Sequence, residues 1–270
     1  MIAFAANSVF ARLALADAAI DPSSYSLVRL ASGALILSLL TYRAGLADVV
    51  NKHGSLVAAF ALFIYAAGFS FAYLALDTGM GALILFACVQ ATMIGWSVFK
   101  GDRPSSLEWL GLVVAFAAFV GLVSPGLTAP DPLGTILMVA AGIAWGVYSL
   151  IGRGAENPLL NTAGNFILAV PMAIALLIVF SNQISLTPFG AAMAIASGAL
   201  TSALGYALWY RCLRQLTATK AAVVQLTVPA IATLGGIIFS AEVLTLRLGF
   251  FSILILGGVA ITILAKQKRL

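Results

Sequence analysis

The sequence predicts an all-α integral membrane protein: ten transmembrane helices, arranged as two inverted five-helix repeats, with the N-terminus and C-terminus cytoplasmic. Three observations carry this. The 270-residue chain is 62% hydrophobic and 9% charged, with a mean hydropathy of +1.10; soluble domains run about 45–50% apolar and about 25% charged. Its apolar runs are continuous, whereas the strands of a β-barrel, the other structure that satisfies its own backbone in lipid, would alternate. Its basic residues gather on alternate loops. The composition excludes a soluble enzyme, a disordered chain, a collagen and a disulfide scaffold. At ~20 residues per crossing of a ~30 Å hydrocarbon layer, ten helices take up about 200 residues and leave only short loops and tails.

In order, the spans fall at 1–16, 23–43, 54–75, 79–100, 107–124, 133–152, 159–180, 188–210, 220–240 and 247–265. The first opens at Met1 with no charged leader, so a signal peptide is not expected. Pro22, Pro104, Pro125, Pro130, Pro132, Pro158 and Pro188 fall in loops or at helix starts, where a missing N–H costs little. Pro171 and Pro229 lie inside spans and should kink or open their helices. Cys88 and Cys212 lie in or beside apolar runs without metal spacing, and read as small buried hydrophobes.

The basic residues set orientation. With a cytoplasmic N-terminus, the inner loops and tail hold Arg43, Lys52, Lys100, Arg103, Arg153, Arg211, Arg214, Lys220, Lys266, Lys268 and Arg269, while the outer loops hold Arg247 alone. This is a strong positive-inside bias, and it holds only for an even number of spans. The net charge of +5 therefore concerns orientation in a lipid bilayer, and no nucleic-acid partner is expected.

The halves, 1–127 and 128–270, resemble one another. Phe4 to Arg12 lies on Trp145 to Arg153, Asp21-Pro22 on Asn157-Pro158, Arg29 on Asn165, Gly68 to Tyr73 on Gly205 to Tyr210, and Ala82 to Gln90 on Ala221 to Pro229. Five spans per half is an odd number, so the second half inserts upside down. Such repeats are typical of secondary transporters, with the solute near the midplane at the repeat interface.

Asn7 to Arg12, Pro22 followed by Arg29, Trp145 to Arg153, and above all Ala221 to Pro229 followed by Glu242 resemble the ten-span EamA type of the drug/metabolite transporter superfamily. The resemblance spans essentially the whole chain. Within the superfamily the chain is most similar to the YddG-type amino-acid exporters of the bacterial inner membrane. Gln90 stands where the family often has a proline, and Phe4 where it often has tryptophan. The resemblance implies a multi-pass inner-membrane exporter of amino acids, aromatic and other neutral ones, without a cofactor and acting as a monomer. Carriers of phosphorylated sugars or of drugs are the alternative.

Counting inward from the span ends places Asn7, Tyr65, Gln90, Thr201, Ser202, Thr227 and Pro229 near mid-depth. Trp145, Tyr148, Tyr206 and Gln225 lie slightly to the cytoplasmic side. Tyr65, Phe69 and Tyr73 share a helix face, as do Phe86, Gln90, Met93 and Ser97, and Ser202, Tyr206 and Trp209. Amides and hydroxyls among broad aromatic walls suit a small amphipathic solute. The candidate binding residues are Asn7, Tyr65, Phe69, Gln90, Met93, Trp145, Tyr148, Ser202, Tyr206, Gln225 and Thr227. Pro229 is the candidate hinge, since it leaves the Gln225 carbonyl without its usual donor. Aromatic stripes also pack helices, and Ser and Thr often bond their own backbone. Trp96, Trp109 and Trp209, near span ends, read as an interface belt.

Arg12 and Arg29 are the cations well inside helices. Each is expected near the outer end, snorkelling toward Asp17 and Asp21 as a gating or structural charge, with carboxylate binding as the alternative. All nine acids (Asp17, Asp21, Asp48, Asp77, Asp102, Glu108, Asp131, Glu156 and Glu242) fall in loops or at span ends, and His53 is the sole histidine. No proton relay, metal site or intramembrane catalytic group can be assembled from these residues. The expected energetics is therefore facilitated diffusion, or coupling by a route that these residues do not reveal.

Overall fold

The computed structural model describes residues 1–101, 103–124, 129–213 and 224–269. Among them every regular element is helical, with one isolated bridge between Ile20 and Leu186. The long helices are α1 (Ile2–Leu15), α2 (Pro22–Leu40), α3 (Leu56–Ala72), α4 (Thr78–Phe99), α5 (Ser106–Val123), α6 (Pro132–Gly152) and α7 (Pro158–Val179). They are followed by α8 (Pro188–Ile195, continuing through Ala196–Leu204 and Gly205–Leu213), α9 (Thr227–Ser240) and α10 (Leu246–Arg269).

The starts follow from local chemistry. In α2, α6, α7 and α8 a proline occupies the first turn, immediately after a capping Asp21, Asp131, Asn157 or Thr187. Each cap accepts a backbone N–H three residues on, as Asp21 Oδ1 does from Ser24 N at 2.9 Å. A reciprocal Ser105–Glu108 capping box opens α5. Its other end is closed by Arg247 of α10, which donates to the carbonyls of Leu122 at 3.1 Å and Gly121 at 2.9 Å, and to that of Ser124. Within the spans, Ser70, Thr92, Thr162 and Thr262 turn their hydroxyls onto the carbonyl four residues back, the cheapest partner in lipid.

Among the described residues, seven helices are long and apolar enough to cross a membrane. An eighth is gained if α3 is counted with the preceding segment Leu46–His53, which meets it at 97°. The ten-span expectation differs at α1 and α9, apolar helices of 14 residues each, about 21 Å long at 1.5 Å per residue. Helix α1 stops where Ala18 takes a left-handed conformation (φ 51°). Helix α9 restarts after a turn at Leu226, so Pro229 sits in its first turn. Pro229 thus follows a break instead of kinking a continuous helix, because the missing N–H is harmless there. Pro171 lies inside an unbroken α7. The opening of the predicted ninth span (220–223), Asp102, Pro125, Arg214 and Lys220 lie outside the described residues.

The bend before α3 is fixed by α7. Gly164 lies so close to Gly54 that an added Cβ would sit 2.8 Å from its backbone, and Asn165 Oδ1 accepts the N–H of Ser55 at 2.9 Å. Helix α6 packs on α3 and α4, α1 on α8 and α9, α2 on α7 and α8, α3 on α7, α4 on α9, and α5 on α10. The buried core is one large cluster over most of these crossings, with a small second one of Ala115, Val259 and Ile263 between α5 and α10. Cys88 is buried as expected, but Cys212 is exposed on the last stretch of α8.

Candidate functional site

The polar centre of the molecule is built around Asn7 of α1. Its Nδ2 donates to the Tyr65 hydroxyl of α3 at 3.1 Å. Its Oδ1 accepts from Ser197 and, at 3.3 Å, from Thr201, both on α8. These two reach it because Ala196–Leu204 is wound as a π-helix; π-turns inside α-helices often mark functional sites. The same stretch presents Ser202 to α2, where it meets Arg29 Nε at 3.3 Å. Close approach of α2 and α8 depends on Gly198, where a Cβ would lie 2.1 Å from the Arg29 carbonyl.

Arg29 corrects the expectation of a snorkelling outer charge. It is 2% exposed and pairs with neither Asp17 nor Asp21. Its Nη2 donates to Tyr65 at 2.8 Å, and its guanidinium carbon lies 4.9 Å from the ring centre of Tyr65 and 4.8 Å from that of Phe69. Asp21 is occupied elsewhere: burial pushes its carboxyl pKa up, but hydrogen bonds from Ser23, Ser24 and Ser185 outweigh this and hold it below the usual 3.8. The sequence flagged Arg29 but could not tell which face of α2 turns inward.

Around this network stands an aromatic wall. Trp145 of α6 lies 4.8 Å from Tyr65 and 4.9 Å from Tyr206, centre to centre, and Tyr65 lies 5.6 Å from Phe69. Phe4 meets Trp145 edge-on at 6.5 Å and Tyr206 at 5.7 Å. These rings, with Asn7, Ser8, Leu85 and Phe86, line a narrow space at the centre of the molecule. Phe4, Ser8, Ser197 and Leu85 were not among the expected site residues. Small and apolar residues carry no signal of their own, and Ser197 is turned inward by the π-turn. Trp209, expected at the interface belt, instead lies 5.9 Å from Phe4.

A second space lies toward the His53 end of α3, lined by Tyr148, Asn161, Thr162, Asn165, Ser55 and His53 among others. Tyr148 stacks on Trp145 with centres 5.4 Å apart, so this pair of rings stands between the two cavities. At the other end of α3 the molecule is closed. Arg12 Nε lies 3.4 Å from Glu242 and Nη2 3.3 Å from Asp77, and Nη1 donates to the Tyr73 carbonyl at 3.4 Å. Glu242 Oε1 also accepts the N–H and hydroxyl of Thr78 at 2.8 Å each, at the start of α4. The partners of Arg12 are therefore Asp77 and Glu242, brought together from α3–α4 and α9–α10, and not the sequence neighbours Asp17 and Asp21. Thr187 and Ser185 bind the 18–21 loop at this same end.

Of the expected binding residues, Asn7, Tyr65, Phe69, Trp145 and Tyr206 line the central space and Ser202 adjoins it through Arg29. Tyr148 lines the second space. Gln90 is buried on α4, one turn past Phe86, and Met93 is half-buried; neither lines the central space. Gln225 is half-buried and Thr227 is exposed, its hydroxyl bonded to the Val224 carbonyl at 2.7 Å. Among the described residues no group of three or more His, Cys, Asp or Glu could hold a metal ion. The arrangement offers neutral donors and acceptors, one buried cation and broad rings: equipment for holding a small amphipathic molecule.

Known proteins share this architecture. Residues 132–264 match the EamA-like transporter family. An uncharacterised protein of Pseudomonas aeruginosa is 43% identical over 269 residues, spanning 100% of this chain and 93% of its own. An uncharacterised transporter of Archaeoglobus fulgidus is 27% identical over 289 residues, spanning 100% and 96%. The threonine/homoserine exporter RhtA of Salmonella typhimurium is 29% identical over 155 residues, 55% of this chain and 51% of its own. A solved crystal structure has the same fold, with a TM-score of 0.69 over 100% of this chain and 98% of that one at 18% identity. With its apolar helices, its second half matched and a relative along its whole length, this multi-pass membrane protein belongs to the EamA-like transporter family.

Proposed function

We propose that this protein is a bacterial inner-membrane secondary transporter that exports amino acids, aromatic and other neutral ones, by alternating access through the central aromatic-walled cavity. The observation that carries the reading is the Asn7–Tyr65–Arg29–Ser202 network set among the rings of Trp145, Phe69 and Tyr206. It offers hydrogen bonds and one charge to a polar head, and ring faces to a side chain. The partial similarity to a threonine/homoserine exporter supports an amino-acid solute, and the aromatic wall supports the YddG-type likeness.

In this reading the chain crosses the membrane ten times in two inverted halves, 1–127 and 128–270, with both termini cytoplasmic. Helix packing supports this: exchanging each helix with the one five places on returns the same principal pairs, α3–α6 becoming α8–α1 and α2–α8 becoming α7–α3. Asp21-Pro22 and Asn157-Pro158 open α2 and α7 in the same way. The short α1 and α9 are then spans at pseudo-equivalent edges of the cavity. Under this orientation the Arg12–Glu242 end faces outward and is shut, while the His53 cavity faces the cytoplasm behind the Trp145–Tyr148 pair. Pro229, next to the break at Leu226, is the hinge of α9. Gln90, Met93, Gln225 and Thr227 join the site in other states of the cycle. The protein works as a monomer and without a coupling proton, since no acid or histidine faces the central cavity among the described residues.

Counterflow in proteoliposomes with labelled Phe, Trp, Thr, Met and Lys tests the reading. Exchange of several neutral amino acids without proton movement is expected. Exchange of a hexose phosphate and of no amino acid would replace it with a phosphorylated-solute carrier, and obligatory proton exchange would overturn the energetics.

A further inference from the structure

A guanidinium keeps its charge under all ordinary conditions, so one buried in a membrane protein must be compensated by what surrounds it. Arg29, 2% exposed, is surrounded by neutral groups: the Tyr65 and Ser202 hydroxyls and the faces of Tyr65 and Phe69. Among the described residues no ion pair with an acid reaches it; Asp77 and Glu242 pair with Arg12 at the far end of α3. Its Nη1 is buried without a hydrogen bond among the described residues.

Tyr65 gives this uncompensated charge a direction. A phenol has two lone pairs and one proton. Arg29 Nη2 and Asn7 Nδ2 both donate to it, so its own proton is directed elsewhere, toward the neighbouring Tyr206 and the central cavity that both tyrosines line. A donor polarised by a guanidinium, in a site with no competing acid, is complementary to a monoanion.

We propose that this corner is a carboxylate-binding subsite: the Tyr65 hydroxyl donates to the carboxylate of the solute, and Arg29 supplies the balancing charge behind it, with Nη1 still free. The proposal rests on the central cavity being the transport site and names what that site recognises. A single cation behind the lining suits one negative charge; a phosphate monoester, carrying about −1.5 to −2 at neutral pH, meets no cation among the residues that line the cavity. Arg29 is a positioning residue here, since it stands behind the Tyr65 and Phe69 rings.

Ligand-induced thermal stabilisation of the purified full chain tests this with matched probes: phenylalanine and threonine, their carboxamides, 3-phenylpropionate, and glucose 6-phosphate. Acids are expected to bind at least about 10-fold tighter than their amides, a charge-assisted hydrogen bond being the difference. Tyr65→Phe, which removes one oxygen, and Arg29→Gln should each bring acid and amide to within about two-fold; Tyr65→Phe carries the test if Arg29→Gln does not fold. Equal binding of acids and amides by the parent protein overturns the subsite while leaving amino-acid export standing, as does an acid preference that survives Tyr65→Phe. Binding of 3-phenylpropionate but of neither amino acid supports the subsite and removes amino-acid export. Binding of glucose 6-phosphate alone, or of no probe, overturns both.

Discussion

Gly198→Ala should pull the polar centre apart, and its cost can be worked from the geometry. A Cβ at this position would lie 2.1 Å from the Arg29 carbonyl oxygen and 2.1 Å from Ser32 Oγ, more than an ångström inside the 3.4 Å of ordinary contact. The serine hydroxyl can rotate away, but the carbonyl belongs to the α2 backbone, so α2 and α8 must separate. Overpacking of this kind costs typically about 1–3 kcal/mol, against a gain of at most about 1 kcal/mol from replacing a helical glycine. At roughly 2–4 °C per kcal/mol for a chain of this order of size, the apparent Tm in detergent should fall by several degrees. The same separation lengthens Arg29 Nε–Ser202, now 3.3 Å, so transport should fall as well. Gly249→Ala is the internal control: nothing lies within 4 Å of its added Cβ, and the variant should melt at or slightly above the parent. If Gly198→Ala melts with the parent and transports normally, the contact between α2 and α8, and the buried position of Arg29 that depends on it, are wrong.

Three further outcomes are expected. Glu242→Gln should weaken the closed end by about 1–3 kcal/mol, because it removes the charge from a part-buried carboxylate serving Arg12 and Thr78. Asp77→Asn, at an exposed pair, should cost under about 1 kcal/mol; labelling of a cysteine placed beneath the latch would show the difference as faster outward opening in Glu242→Gln alone. Asp21 titrates lower in the folded protein than its usual 3.8, so its stabilisation is complete above that range and lost as pH falls through the lowered pKa. Melting temperature should decline below the usual carboxylate range in the parent and decline less in Asp21→Asn. Pro229→Ala should fold with little change in stability, since Pro229 lies in the first turn of α9, yet slow counterflow if the break at Leu226 is a hinge; unchanged flux would remove that role.

Helix identity was legible because lipid leaves so few choices. Continuous apolar runs had to be helices, and prolines marked the starts of α2, α6, α7 and α8 to within a residue. The bend before α3 was not legible: Gly54 is one glycine among 25, and its consequence depends on Gly164 and Asn165 more than a hundred positions away. The aromatic half of the site was legible because Tyr65 and Phe69, and Ser202 and Tyr206, fall on shared faces. The charges were misjudged for a physical reason. Depth along a helix can be counted from a sequence, but the direction a side chain takes around the axis depends on neighbours not yet placed. Arg12 and Arg29 were thus assigned the nearest acids in sequence, whereas their partners come from α3, α8 and the loop after α9. Gln225 and Thr227 show the converse: mid-depth by count, they sit beside a helix break and away from the central space.

The two ends of the central space are closed by very different means. On one side stands a single stacked pair, Trp145 and Tyr148. On the other, Arg12, Asp77 and Glu242 bind three separate parts of the chain, and Thr187 and Ser185 fasten the 18–21 loop. Turning one ring of a pair is a local event, while parting several helix ends together is collective and takes microseconds to milliseconds or longer. In the proposed cycle the solute therefore equilibrates quickly across the thin door and waits at the thick one. Turnover is timed by the thick door alone, so changes at Trp145 should alter which molecules are admitted, and changes at Glu242 how often they leave.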